Sequence, residues 1–380
     1  MNIDWTSDEN YIFSNNRLKN KELIDHALSS AANLKGHIWV ATSGTTLMGS
    51  KSKWVALSKK ALLASAASVN NHLECVPEDK WLLALPTFHV GGLSIYARSQ
   101  LLGCEVINLQ KWQEKWSPEI FVQALKESKA TLSALVPTQL YDLVRLNLSP
   151  NKELRAIVIG GASLNRHLYK EARNLGWNLL PSYGLTECSS QVATAELKSL
   201  SQNSFPKLKL LDHVEVQVNA LGCITLKSPS LFTVLATLCE KEVILSDPKD
   251  EGVYTTEDQG VIQGRYLQVK GRAGDVVKIS GENVDMSKLQ HVLDSLKLEM
   301  KIKGEHVLAA IPDDRLGASI CLVSTTFSKE EALFLKQAFN ELVMPFERIR
   351  EEKKIRQIPR NPLGKVLQAS LLKMLICQLV

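Results

Sequence analysis

Residues 41–55 read ATSGTTLMGSKSKWV, and whether they form a phosphate loop, and of which kind, decides how the rest of the chain is read. Gly44 to Gly49, followed by Ser50-Lys51-Ser52, nearly spells G-x-x-x-x-G-K-[ST]. Ser50, however, stands where the lysine should follow the second glycine. In that motif the lysine sits on the first helical turn, so a one-residue slip rotates it by roughly 100° about the axis. A Walker-type kinase is therefore disfavoured, while a nest of Ser, Thr and Gly backbone groups around an anion stays open. The flanks suit such a nest. HIWVATSG (37–44) is a buried-strand pattern entering a Gly/Thr turn, and SKKALLASAASVNNHL (58–73) has helical spacing and strong helix formers.

Outward from this loop, strand-like runs alternate with helical ones. WLLALP (81–86), TLSALVP (131–137) and LRAIVIGGAS (154–163) are short apolar strands ending in turn signals, and Ser117-Pro118 opens a helix. Such alternation predicts an α/β fold with function on the loops at strand ends. After about residue 206 the strands shorten (HVEVQVN, GCITLKS, GVIQGRYLQVKG), predicting a small β-rich subdomain over 206–271. Strands and helices mix again beyond it. Gly271 to Gly274 is the natural boundary, giving a large domain over 1–271 and a smaller α+β domain over 272–380.

The 380 residues, 45% hydrophobic and 22% charged, are those of a globular chain with a substantial core. A net charge of +5 suits anionic ligands without arguing for nucleic acid. The N-terminus, MNIDWTSDENYIF, lacks a basic start and apolar core, and no apolar run approaches the ~20 residues of a membrane span. Seven cysteines without a C-x-x-C pair suggest neither a disulfide framework nor a zinc site. A cytoplasmic protein is expected.

Four clusters follow in fixed order: TSGTT (42–46), YGLTE (183–187), GRAGDVVKISGENV (271–284) and PRNPLGK (359–365). Any one alone is an ordinary turn. Together, over residues 38 to 370, they resemble the adenylate-forming superfamily of acyl-CoA synthetases. LPTFHVGGLSIYARS (85–99) narrows the likeness to the o-succinylbenzoate–CoA ligases of menaquinone biosynthesis. The resemblance implies that Thr42, Ser43, Gly44, Thr45 and Thr46 hold ATP phosphates. It implies further that Thr186 bonds the α-phosphate, that Glu187 holds Mg²⁺, and that Tyr183 and Gly184 lie by the adenine. Gly160, Gly161 and Ala162 would wall the purine, and Asp258 and Arg272 would face the ribose. Lys365 would reach over from a mobile C-terminal domain to bridge the acyl carboxylate and α-phosphate. That domain would then swing about Gly274, and Ser280 and Gly281 would line the tunnel for coenzyme A, the co-substrate.

For the acyl substrate, the resemblance assigns His89, Arg98, Ser133, Thr138 and Ser189. An arginine on an otherwise apolar segment is costly unless an anion meets it, which favours a dicarboxylate over a fatty acid. Three departures stand out. Leu47 replaces the family's glycine, leaving Lys51 or Lys53 to supply the basic group. Glu257 replaces another glycine. The phosphate loop begins at residue 42, whereas relatives place it well over a hundred residues in. The expected large domain is therefore shortened, with Trp5, Tyr11 and Phe13 or a homo-oligomer covering exposed sheet. Two other readings stay open: an aryl- or acyl-CoA ligase of other specificity, and a degenerate, non-catalytic nucleotide-binding homologue.

Overall fold

The computed structural model describes residues 3–14, 34–42, 52–111, 115–202, 204–239, 242–272, 276–302, 304–325, 329–362 and 364–377. The chain forms two compact units. Unit 1 comprises Met1–Thr256 and Gly260–Val269, and unit 2 comprises Glu257–Gln259 and Lys270–Val380.

Unit 1 begins with β1 (Tyr11–Phe13), β2 (His37–Ala41) and β3 (Ser52–Ser58), then α1 (Lys59–His72), β4 (Lys80–Leu83), α2 (Val90–Leu102) and β5 (Glu105–Asn108). It continues with α3 (Pro118–Ser128), β6 (Leu132–Leu135), α4 (Pro137–Arg145), β7 (Ala156–Ile159), α5 (Arg166–Asn174), β8 (Leu179–Leu185) and β9 (Ser190–Thr194). Helix starts follow side-chain chemistry: Ser58 caps Ala61 N–H on α1, and Ser117 caps Ile120 N–H on α3, with proline in the first turn. Strands β5, β4, β6, β7 and β8 run parallel in that spatial order. LSAL and AIVI are buried at every position, as a parallel sheet covered on both faces requires.

Beyond β8 the sheet turns antiparallel. It extends through β9, β10 (Leu208–Leu210), β16 (Tyr266–Arg272), β15 (Tyr254–Gln263), β12 (Cys223–Lys227) and β11 (Glu215–Val218). A second sheet has the order β1-β2-β3-β13-β14, with β13 (Val234–Cys239) and β14 (Glu242–Ser246) returning to pair with β3. Ile38, Val40, Val55 and Leu57 of this sheet bury with Leu62, Leu93 and Phe232, and Ile3, Trp5, Tyr11 and Phe13 pack on that cluster. The N-terminal segment therefore does cover sheet surface. Lys59 straps it down. Only 3% exposed, its ammonium donates to Asp4 O (2.5 Å), Ser7 O (2.8 Å) and Ser7 Oγ (3.1 Å) and lies 4.9 Å from the Tyr11 ring centroid. A buried ammonium with its three donors satisfied is tolerable; one without them would not be.

In unit 2, β17 (Val276–Ile279) and β18 (Glu282–Asp285) form a hairpin. Its two turn residues, Ser280 and Gly281, have φ of +54° and +87°, the signature of a type I′ turn. Asp285 then caps α6 (Met286–Glu299) through Lys288 N–H. Strands β19 (His306–Asp313) and β20 (Gly317–Ser324) pair antiparallel, and β21 (Ile349–Lys354) lies parallel to β20. Alternation along β19 and β20 separates two cores. Leu308, Ile320 and Leu322 meet α6 and α7 (Lys329–Leu342), whereas Val307, Ala309, Cys321 and Val323 meet Leu371 and Leu375 of α8 (Gln368–Cys377). Among the described residues, no helix is long and apolar enough to cross a membrane.

Candidate functional site

The carboxyl ends of parallel strands are where an open α/β sheet offers a crevice, because helices turn back there and leave backbone groups unpaired. Among the described residues of unit 1, Gly160, Gly161 and Ala162 follow β7, and Thr186, Glu187 and Ser189 follow β8. After β7, Gly160 N–H donates to Leu135 O (3.1 Å). A side chain built on Gly160 would meet nothing closer than Ser182 O at 3.9 Å, so its neighbours leave that face open. On Gly161 it would come within 3.2 Å of Val136 Cγ1. Ala162 is exposed and Tyr183 half-buried.

After β8 the backbone enters a 3₁₀ turn, Thr186–Cys188. The turn is braced from three sides. Ser189 N–H donates to Thr186 O (3.2 Å), Phe232 N–H donates to Glu187 O (2.9 Å), and the strand pairing shifts register between Tyr183 and Gly184. A Cβ on Gly184 would lie 1.9 Å from Ser190 O, a distance no real Cβ tolerates. Glycine is required here because the returning strand crosses directly over it. Ser189 and Ser190 carry positive φ, +54° and +119°, which costs side-chain-bearing residues energy and marks a conformation imposed by its surroundings.

The Glu187 carboxylate is half-buried, with Oε1 3.9 Å from the Lys53 ammonium. Lys53 in turn accepts Thr42 N–H at its carbonyl (3.0 Å). Thr42, Lys53 and Glu187 are thus one neighbourhood, which places Lys53 beside the threonine–glutamate turn. Lys51 and the loop residues Ser43, Gly44, Thr45 and Thr46 lie outside the described residues, as does Gly274.

The α2 segment holds two buried nitrogen-bearing side chains, one neutral and one charged. His89, 8% exposed, precedes the helix; its Nε2 has no partner, and burial pushes its pKa down to about 4, so the ring is neutral at pH 7. Arg98, 1% exposed, stacks 5.0 Å from Trp81 and donates from Nη2 to Ser94 Oγ (3.0 Å). Its Nε and Nη1 have no partner, and burial lowers its pKa to about 10, which still leaves it charged. Ser94 Oγ is also 3.4 Å from Ser190 Oγ, so one hydroxyl ties Arg98 to the strained turn beside Glu187. Sequence reasoning overlooked Ser94, although its place one helical turn before Arg98 is the spacing at which side chains meet.

The remaining acyl-site candidates are placed differently. The Ser133 hydroxyl is fully buried and donates to Leu82 O (2.7 Å), tying β6 to β4. Ser189 is likewise buried and donates to Ser230 O (2.7 Å). Thr138 is exposed at the start of α4. The ribose candidates pair with each other: Arg272 Nε lies 3.1 Å from Asp258 Oδ1. In unit 2, Ser280 and Gly281 form the exposed tip of the β17–β18 hairpin, and Lys365 is exposed on the loop before α8.

Comparison with known proteins sets these features in context. A family model described as AMP-binding enzyme matches residues 38–233. A 2-succinylbenzoate–CoA ligase of Enterococcus faecalis is 28% identical over 290 residues, 73% of this chain and 57% of that protein. One from Lactococcus lactis subsp. lactis is 27% identical over 317 residues, 80% and 65% respectively. The chain thus spans 57% and 65% of the length of these two relatives. The structure is similar to that of o-succinylbenzoate CoA synthetase (MenE) from Bacillus subtilis in complex with the acyl-adenylate intermediate OSB-AMP. There the TM-score is 0.71 at 24% identity, over 88% of this chain and 68% of that one. It is also similar to ATP-bound MatB from Rhodopseudomonas palustris (TM-score 0.69, 22% identity, 89% and 67% covered). Both likenesses are of fold.

Proposed function

Because the chain belongs to the AMP-binding enzyme family, we propose that it activates a carboxylic acid with ATP and passes the acyl group to coenzyme A. The acid we assign is o-succinylbenzoate, in menaquinone biosynthesis. The observation that carries this reading is the Thr42–Lys53–Glu187 neighbourhood at the end of β8, where an acid, a base and the start of a Ser/Thr/Gly loop converge.

The chemistry asks two things of the chain. In the first step a carboxylate oxygen attacks the α-phosphorus of ATP and pyrophosphate leaves. Negative charge gathers at phosphorus, so fixed cations and donors aimed there lower the barrier. Thr186 would donate to the α-phosphate and Lys53 would meet the departing phosphates. At 3.9 Å the Lys53–Glu187 contact is longer than a hydrogen bond, so the lone pairs of Oε1 remain available to a hard cation. A magnesium ion held there with phosphate oxygens would neutralise phosphate charge. Lys365 would bridge the two reacting anions, and its compact ammonium suits that task. In the second step the coenzyme A sulfur attacks the acyl carbonyl and AMP leaves. Lys365 must then withdraw, which is the work proposed for a swing about Gly274, with Ser280 and Gly281 brought toward the pantetheine arm.

Arg98 is the reason for choosing a dicarboxylate. Its unpartnered Nε and Nη1 are buried donors, and a second carboxylate on the acid would meet them. The same burial, with Trp81 beneath it, favours a second reading: an aryl- or acyl-CoA ligase whose acid never meets Arg98.

Release of pyrophosphate, measured across a panel of carboxylic acids with ATP and magnesium, tests the proposal. o-Succinylbenzoate should give release that becomes multiple turnover when coenzyme A is added. Release with other acids alone would support the second reading, and release with none would overturn both.

A further inference from the structure

Lys365 is exposed, yet both of its backbone polar groups are held. Its N–H donates to Asn361 Oδ1 (2.9 Å), and its carbonyl accepts Asn361 N–H (2.8 Å). Asn361 O also accepts Gly364 N–H (2.8 Å), and Gly364 takes a φ of +77° to close the loop. Arg360 fastens the loop from outside. Its Nη1 donates to Gly364 O (2.6 Å), and its Nε lies 3.1 Å from Glu305 Oε1, just before β19. Residues 360 and 366 bridge across the base, where Leu367 N–H also bonds Pro359 O (2.9 Å). Asn361 is 8% exposed.

From this geometry we propose that Asn361 and Arg360 are positioning residues for Lys365, a clasp that fixes the backbone from which its side chain reaches. The proposal rests on the function proposed above. A lysine side chain has four rotatable bonds and about 2 kcal/mol of rotamer entropy. If its Cα also wandered, the ammonium would rarely sit between two anions, and a misplacement of about 1 Å can cost on the order of 100-fold in rate. An ordinary turn needs only the Gly364–Asn361 bond. Here the Asn361 side chain and the Arg360 guanidinium add bonds aimed at Gly364 and Lys365 themselves.

The test separates the half-reactions in the full chain. Asn361→Leu keeps a branched side chain of similar size and removes the acceptor, whereas Asn361→Asp keeps it. Asn361→Leu should lower kcat for pyrophosphate release about 10- to 100-fold, with KM for ATP and for the acid unchanged. Thioester formation from supplied acyl-adenylate should be untouched, and Asn361→Asp should recover most of the loss. Independently of activity, hydrogen exchange at the Lys365 amide should quicken about tenfold or more in Asn361→Leu, the loss of roughly one hydrogen bond. Arg360→Met should show the same pattern more weakly and serves if Asn361→Leu does not fold. Equal loss of both half-reactions, or an Asn361→Leu that adenylates like its parent, would overturn the clasp alone. A parent chain that makes no acyl-adenylate from any acid would overturn the proposed function and the catalytic part of this inference with it.

Discussion

The threonine–glutamate turn of unit 1 and the lysine loop of unit 2 are both short turns held by hydrogen bonds, but they are held for different ends. The turn at Thr186–Cys188 is wedged between strands: Ser190 O lies over Gly184, Cys188 and Ser189 are fully buried, and Phe232 binds the Glu187 carbonyl. Its side chains can move little because the packing around them cannot. The loop at Asn361–Lys365 has no such burial. Among its described residues Asn361 is the one enclosed, and the bonds that hold the Lys365 backbone are polar ones to Asn361. A turn braced by a sheet keeps a charge in one place, whereas a loop braced by its own side chains can travel with its unit and still present one geometry. That difference matches the proposed division between a stationary phosphate site and a lysine that arrives and leaves.

The comparison breaks most visibly at Lys365. Lys365→Ala should lower adenylate formation by on the order of 1,000-fold, a loss of about 4 kcal/mol of transition-state stabilisation, with thioester formation from supplied adenylate within a few-fold of the parent. Equal loss of both steps would mean that the lysine serves the fold or both reactions, and the contrast between the regions would fail. The next largest effect belongs to unit 1. Gly184→Ala places a carbon 1.9 Å from Ser190 O, so the crossing strands must part. Overpacking of this kind costs about 3 kcal/mol or more when backbone must move. All seven tryptophans precede residue 178, so their fluorescence reports unit 1, and the denaturation midpoint read that way should fall sharply. An unchanged midpoint would show that the turn is softer than its packing implies.

Much of this was legible in the sequence, because periodicity and end signals are local. The runs HIWVA, LSAL and AIVI became β2, β6 and β7, and Ser117-Pro118 opened α3. The return of β13 and β14 to β3 was not legible, since pairing across about 180 residues leaves no mark in either strand. At the site, the family resemblance singled out Asp258 and Arg272, which the fold brings into contact, and left Lys51 and Lys53 undecided. Proximity of Lys53 to Glu187 depends on how β3 lies against the turn after β8. Ser133 and Ser189 were chosen as pocket residues by resemblance, yet their hydroxyls bond Leu82 O and Ser230 O. Which carbonyl a hydroxyl finds is settled only when strands pair, so no spacing rule could have assigned it.

Counted per side chain, the smallest of these effects sharpens the contrast through pH. In unit 1, burial pushes both His89 and His213 down to about 4, the latter against an opposing pull from Asp212. Neither His89 Nε2 nor either nitrogen of His213 has a partner that would stabilise a proton. An unfolded histidine titrates near 6.5, so between pH 6.5 and 4 the unfolded chain binds more protons than the folded one. Stability must therefore fall as pH drops through that window, by about 2 kcal/mol per histidine at pH 5. In unit 2, burial also lowers His306, but the Gly304 carbonyl accepts from its Nδ1 and pulls the other way. Acid should consequently loosen unit 1 first. Denaturation followed by tryptophan fluorescence at pH 7.5 and pH 5 should show the loss, and His89→Leu should remove about half of it. If the midpoint were flat over this range, the two histidines would have to be solvated or protonated within the fold, and the close packing assigned to them in unit 1 would be wrong.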